Sequence, residues 1–313
     1  MTRAALVVGA RGLLGKAVVR ALAAQGRPAV TARVPWSEPP DAVAALLDAV
    51  AGTAHEHGTD WDLLWCAGSA VTGATAEQTD VEVATFTSFV DGLVVEGAAR
   101  PARMFLASSA GAVYAGVDDA PFTEHTPPRP LAPYGHAKLR LEAQSERLAE
   151  AGTDVLVGRI SNLYGPGQNL HKEQGLISRL CRAHLMRDPA SIYVSLDTIR
   201  DYLFVDDCAA LLLDGMDVLR AHPPGTGGAP VVKILAAQQS ATIGALLGAC
   251  RQVFGPRIPV TLGTSALAGR QARDLRFRSL VWPELDRRSL TTLPHGIHAT
   301  AEDLRRLLVE AAP

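Results

Sequence analysis

The sequence predicts an α/β protein built on a doubly wound parallel sheet, with a smaller, mainly C-terminal lobe beside it. Three observations carry this. Short apolar runs at Ala4–Val8, Leu63–Gly68, Met104–Ala107 and Val155–Arg159 read as strands buried on both faces. Segments with helical spacing separate them, at Asp41–His55, Val83–Ala99 and Tyr134–Ala151, and this alternation builds parallel sheets. The first run passes directly into Gly9-Ala10-Arg11-Gly12-Leu13-Leu14-Gly15, which opens a helix carrying Ala17, Val18, Ala21 and Leu22. Beyond about Ile160 the pattern loosens, with Gly165-Pro166-Gly167 and His222-Pro223-Pro224-Gly225. We therefore expect a first unit over residues 1–160 and a second lobe over 161–313, with some segments of the second returning to the first.

Composition narrows the function classes. The 313 residues are 48% hydrophobic and 20% charged, which suits a sizeable buried core and excludes a disordered or fibrous chain. Thirty basic residues stand against 32 acidic ones, a formal net charge of -2, so no basic excess draws the chain to nucleic acid or an anionic membrane. No apolar run approaches the ~18 residues of a membrane span. Cys66, Cys181, Cys208 and Cys250 lie far apart. That spacing is neither a zinc site nor a disulfide framework, and it points to a reducing cytoplasm. His55 and His57 fall two apart on a helix, hence on different faces, so they read as a solvated helix end and no metal is expected. The Leu211-Leu212-Leu213 run reads as core packing.

The glycine turn has the order that binds a dinucleotide. Gly9 permits the tight turn, Gly12 lets the backbone approach a pyrophosphate, and Gly15 lets the helix pack on the strand. The N–H groups that come next, around Arg11, Leu13 and Leu14, face the phosphates with the positive end of the helix dipole. After the next strand, Ala29–Ala32, an NAD site places an acid to bond the adenosine ribose. Here Arg33 follows, and no acid stands before Glu38. Arg33 suits a 2′-phosphate, which favours NADP, with NAD as the alternative. At the end of the third strand, the small residues Ala67 and Gly68 leave room for a cofactor ring against the backbone.

Ser108 and Ser109 end the fourth strand, and strand carboxyl ends are where open α/β folds bind ligands. Downstream stand Tyr134 and Lys138, four apart and so on one helix face. An ammonium beside a phenol favours the phenolate. That phenolate takes a proton from a substrate hydroxyl as hydride leaves its carbon, and the phenol protonates an alkoxide in reverse. With five tyrosines and four lysines in the chain, random placement yields this spacing only roughly 0.06 times. A nearby serine hydroxyl would orient the same oxygen.

These residues resemble the extended short-chain dehydrogenases/reductases, which include NAD-dependent epimerase/dehydratase enzymes acting on nucleotide sugars. The resemblance runs in order through Gly9-x-x-Gly12-x-x-Gly15, Ser108-Ser109 leading to Val113-Tyr114, and Pro133-Tyr134-Gly135-His136-Ala137-Lys138. It continues through Arg159-Ile160-Ser161-Asn162-Leu163-Tyr164-Gly165-Pro166-Gly167-Gln168 and Thr198-Ile199-Arg200-Asp201-Tyr202-Leu203-Phe204-Val205-Asp206-Asp207. It implies a Rossmann-type fold, a Lys138 that bonds the nicotinamide ribose, and an Asn162 and Arg200 that contact the nucleotide diphosphate. It also implies a homodimer through the helices near Val83–Ala99 and Tyr134–Ala151. Two departures stand out. Many relatives carry three consecutive hydroxyl residues, the third contacting the sugar; here the third is Ala110, with Ser109 as the substitute. Relatives that dehydrate sugars place an acidic pair next; here Ala110-Gly111-Ala112 carries no acid.

The expectation is an NAD(P)-dependent epimerase or oxidoreductase acting on a sugar carbon of a nucleotide sugar, with Tyr134 as general acid/base. The alternative is an NADPH-dependent keto-sugar reductase. A dehydratase is disfavoured, because elimination needs a general acid and base at adjacent carbons. A dinucleotide-sensing protein without catalysis would be expected to have lost Tyr134 or Lys138. His171 and Lys172, in the glycine-rich part of the second lobe, read equally as phosphate contacts or as plain loop.

Overall fold

The computed structural model describes residues 3–68, 73–95, 98–168, 175–221, 228–263 and 272–310. His171 and Lys172 lie outside them. A six-stranded parallel sheet forms the centre. It is built from β1 (Ala5–Val8), β2 (Ala29–Thr31), β3 (Asp62–Trp65), β4 (Arg103–Ser109), β5 (Asp154–Ile160) and β10 (Val231–Leu235), in the order β10-β5-β4-β3-β1-β2. The continuous apolar runs of the inner strands arise from burial on both faces: every residue of β1 and β3 is buried.

On one face lie α2 (Pro39–His57), α3 (Ala76–Val94) and α5 (Pro133–Glu150), enclosing Trp65, Phe86 and Phe89. On the other, α1 (Leu13–Ala24) packs against α7 (Val205–Ala221) over Val7, Phe105 and the buried Leu211–Leu213 run. Both α7 and β10 come from sequence beyond Ile160, and β10 pairs with β5 from Val231↔Leu156 to Leu235↔Ile160. The remaining chain forms a smaller lobe. It is centred on α6 (Leu176–Met186), α8 (Ile243–Phe254) and α9 (Leu293–Glu310) and has its own apolar core. Its short strands pair as β6 (Asn162–Tyr164) with β9 (Tyr202–Phe204), β7 (Ala190–Ile192) with β12 (Val260–Leu262), and β8 (Ile199–Arg200) with β11 (Ala241–Thr242) and β13 (Asp274–Leu275). Among the described residues no helix is long and apolar enough to cross a membrane.

Helix α3 differs from the expectation of a helix over Val83–Ala99. It starts at Ala76 and ends at Val94. The reason is a capping box: Thr75 Oγ1 accepts from the Gln78 backbone N–H, while the Gln78 side chain accepts from the Thr75 N–H. The earlier start brings Glu82 into the helix.

At the amino ends of the strands, the fully buried Asp62 gathers three arginines. Arg27 Nη2 donates to it at 2.8 Å and Arg103 Nε at 2.9 Å, and Arg3 Nε lies 2.6 Å away as a charge contact. Removing one member of a buried ion cluster leaves its partners uncompensated, at a cost of about 3–5 kcal/mol. Asp62→Ala is expected to lose stability on that scale, measured as a lowered urea midpoint, with the cleft on the far side of the sheet intact in the fraction that folds.

Candidate active site

The cleft is set by where the strands end. β1, β3 and β4 run in register, Val8 opposite Trp65 and Trp65 opposite Leu106, and β4 continues three residues further beside β5, to Ser109. At that edge Gly9 turns the chain with φ +85°, and a Cβ on it would stand 2.6 Å from Ala67 N. A Cβ on Gly15 would stand 2.2 Å from Gly9 O, so helix and strand meet with no room for a side chain. Gly12 N–H donates to Gly9 O at 2.9 Å and closes the turn. Arg11, Gly12, Leu13 and Leu14 line a cleft of roughly 2010 Å³ that runs on past Ala67 and Gly68 to Tyr134 and Lys138. A backbone cradle at a helix N-terminus, opening on a cleft of this length, fits a dinucleotide.

Tyr134 and Lys138 stand one turn apart on α5. Tyr134 is half-buried; Lys138 is 4% exposed, with Nζ 5.5 Å from the Tyr134 ring centroid. Burial works against the ammonium charge. The neighbouring Tyr134, then Glu82 and Glu142, outweigh it and hold Lys138 above the ordinary lysine value. Lys138 Nζ donates to Glu82 Oε1 at 3.3 Å. Gly68 borders the same group, since a Cβ there would lie 3.4 Å from Lys138 Nζ.

The two serines have different surroundings. Ser108 is buried, and its hydroxyl donates to Glu142 Oε1 at 2.5 Å. Glu142 also accepts from Arg159 Nε at 3.1 Å and Nη2 at 2.7 Å, and Arg159 Nη1 donates to the Tyr114 hydroxyl at 2.6 Å. Ser109 is half-buried, lines the cleft, and makes no capping hydrogen bond to the short helix α4 (Ala110–Val113) after it. Ala110 is fully buried in an apolar cluster with Tyr114, Phe122 and Phe277. Both serines line the cleft, and the Ser108 hydroxyl is the one engaged by Glu142.

From the smaller lobe, Asn162 and Arg200 both line the cleft. Asn162 Nδ2 donates to Asp201 O at 3.0 Å, across the β6–β9 junction. Arg200 Nη1 donates to Ile199 O at 2.8 Å, and burial pulls its pKa down. The two acids next along the chain from Arg200 are engaged elsewhere: Asp201 accepts from Ala237 N–H at 2.8 Å, and Asp206 pairs with Arg20 at 2.5 Å. Among the described residues Arg200 makes no ion pair. Arg33 stands outside this group. It is exposed, two residues past β2, and Trp36 lines the adjoining wall instead.

Sequence reasoning missed Glu82, the Glu142–Arg159–Tyr114 network, and Arg179 and Arg182, which line the cleft from α6. Arg179 and Arg182 had a readable signal, two basic residues three apart on one helix face. Glu82 had an indirect one in the Thr75–Gln78 capping box. The Glu142 network had none, because its partners lie 17 to 45 residues apart.

A Rossmann-type sheet, a glycine cradle and a Tyr-x-x-x-Lys helix facing one cleft define the short-chain dehydrogenase/reductase architecture. Residues 5–225 match the profile of the NAD dependent epimerase/dehydratase family, and the chain belongs to that family. A UDP-glucose 4-epimerase of Azospirillum brasilense is 27% identical over 285 residues, 82% of this chain and 79% of that one. A dTDP-4-dehydro-6-deoxyglucose reductase of Escherichia coli is 34% identical over 106 residues, a match that spans only 34% of this chain and 33% of the reductase. The solved UDP-glucose 4-epimerase of Thermotoga maritima, described with UDP-glucose, superposes with a TM-score of 0.78 at 20% identity. It covers 97% of this chain and 99% of that one, and at that identity it speaks to the fold.

The two serines separate by experiment. Ser108→Ala removes a hydrogen bond to a buried charge, worth about 1.5–3 kcal/mol, and is expected to lower the thermal unfolding midpoint. Ser109→Ala is expected to leave that midpoint within a degree or so of wild type.

Proposed function

We propose that this chain alters one carbinol or carbonyl carbon of a nucleotide-linked sugar by hydride transfer, as an epimerase or oxidoreductase, with Tyr134 as general acid/base. One observation carries the reading: Tyr134 lines the cleft beside a buried, charged Lys138, at the strand ends onto which the glycine cradle also opens. Gly9, Gly12 and Gly15, with Arg11, Leu13 and Leu14, would hold the pyrophosphate of NAD(P), and Ala67 and Gly68 would flank its nicotinamide end. When bound, NAD(P) supplies the hydride acceptor and donor.

The chain's own residues do the rest. Tyr134 takes the hydroxyl proton as the sugar carbon is oxidised and returns it as the carbonyl is reduced. Lys138 favours the phenolate through its charge and would bond the nicotinamide ribose of a bound cofactor. Ser109 orients the reacting oxygen. Asn162 and Arg200 hold the diphosphate, the guanidinium matching that anion in shape and charge. Ala110-Gly111-Ala112 supplies no acid for elimination, which speaks against a dehydratase.

Arg33 supports a second reading, an NADPH-dependent keto-sugar reductase, since no acid stands between β2 and Glu38. The name of the Escherichia coli relative points the same way. We further propose a cytoplasmic homodimer. Four free cysteines suit a reducing compartment, and α3 and α5 present one continuous face linked by the Asp80–Arg140 and Asp91–Arg147 pairs, with Val81 half exposed beside them. Light scattering is expected to return twice 33.0 kDa.

The test begins with denaturing the purified protein and identifying any released nucleotide. Tightly held NAD+ or NADH supports the epimerase. An empty protein that binds NADPH better than NADH, with the preference lost in Arg33→Ala, supports the reductase. In either case Tyr134→Phe is expected to lower turnover of nucleotide sugars by about 10²–10⁴-fold while cofactor affinity stays near wild type. Undiminished turnover in Tyr134→Phe overturns the mechanism.

A further inference from the structure

The Tyr134–Lys138 pair belongs to α5, but the group that Lys138 Nζ bonds does not. Glu82 reaches it from α3, with Oε1 at 3.3 Å, its side chain only 14% exposed and that of Lys138 5%. A carboxylate in this position does two things. It fixes an ammonium that has three donor hydrogens and a flexible four-carbon stem, leaving the other donors for a ligand. It also offsets part of the positive field that Tyr134 feels, in surroundings where water screens little.

The other groups packed around the pair do not duplicate this. Glu142, on α5, is matched by Arg159 from β5 at 2.7 Å and by the Ser108 hydroxyl from β4. The Arg159 charge is in turn shared with the Tyr114 hydroxyl. From the end of β3, burial pushes the Cys66 thiol up to about 12, so it stays neutral. Asp80 and Arg140 pair with each other on the exposed side of the same two helices.

We propose that Glu82 is a positioning residue for the Tyr134–Lys138 pair: from the neighbouring helix it orients the Lys138 ammonium and sets, through that charge, the pH at which Tyr134 gives up its proton. This rests on Tyr134 being the acid/base group. The α3–α5 packing then tunes the chemistry, and any change in how the two helices sit is felt at the phenol.

The test is a tyrosinate absorbance titration of the full chain, which needs no substrate. Burial pushes Tyr114, Tyr164 and Tyr202 up, and subtracting the curve of Tyr134→Phe isolates the step contributed by Tyr134. In Glu82→Gln this step is expected to move to lower pH by about half to one unit, because an opposing charge has been removed beside Lys138. Glu82→Asp keeps the charge but withdraws it by one methylene, so it is expected to move the step by less in the same direction. It also serves if Glu82→Gln does not fold. A step unmoved in the folded variants overturns the proposal. Loss of nucleotide-sugar turnover in Tyr134→Phe is scored separately, so a failed reaction assignment and a failed Glu82 assignment give different results.

Discussion

The site depends on a hydrogen-bond register. Val8, Trp65, Leu106 and Val157 lie side by side in a parallel sheet; β1 and β3 end at that level, while β4 and β5 run three residues further, to Ser109 and Ile160. The glycine turn after β1, Ala67-Gly68 after β3 and Ser108-Ser109 at the end of β4 line one cleft. A slip of one residue in any strand would turn its side chains to the opposite face. Ser108 would then exchange places with Ser109 and lose its bond to Glu142. The different surroundings of two adjacent serines are thus a property of strand pairing.

Charge is buried in two places, and the two are handled differently. At the amino end of the sheet, Asp62 is surrounded by more positive charge than it can neutralise, and Asp60 and Asp217 take up the excess by pairing with Arg103 and Arg3. At the carboxyl end, Lys138 bonds Glu82 from α3 and feels the charge of Glu142 on its own helix, which pairs with Arg159. The first cluster staples elements together. The second keeps a cation next to a phenol. The same physics, desolvation opposed by a nearby opposite charge, acts at both ends of the sheet.

Much of this is legible in the residues. The apolar runs at Ala5–Val8 and Asp62–Trp65, the glycine turn and the Tyr134–Lys138 spacing depend on local pattern, and local pattern is what a sequence displays. The start of α3 is obscured because Thr79 and Thr85, both buried in the helix, break its apolar periodicity, and their hydroxyls bond back to Ala76 O and Val81 O. Ser108 looks equivalent to Ser109 in sequence because its partner, Glu142, lies 34 residues away. The weight of Arg33 comes from its position after β2, whereas Trp36 reaches the cleft through a turn closed by Trp36 N–H on Val34 O. Sequence hides long-range partnership, in which each residue taken singly carries no mark of its counterpart.

The return of α7 and β10 to the sheet bears on how the chain is made. Synthesis releases β1 to β5 first. The face of α1 that meets α7, and the edge of β5 that meets β10, stay uncovered until α6 and the strands from β6 to β9 have emerged. An uncovered apolar face and an unpaired strand edge are the features that lead nascent chains into aggregates. The sheet that carries the glycine turn therefore acquires its last supports only after much of the smaller lobe exists, and the order of folding couples the two lobes.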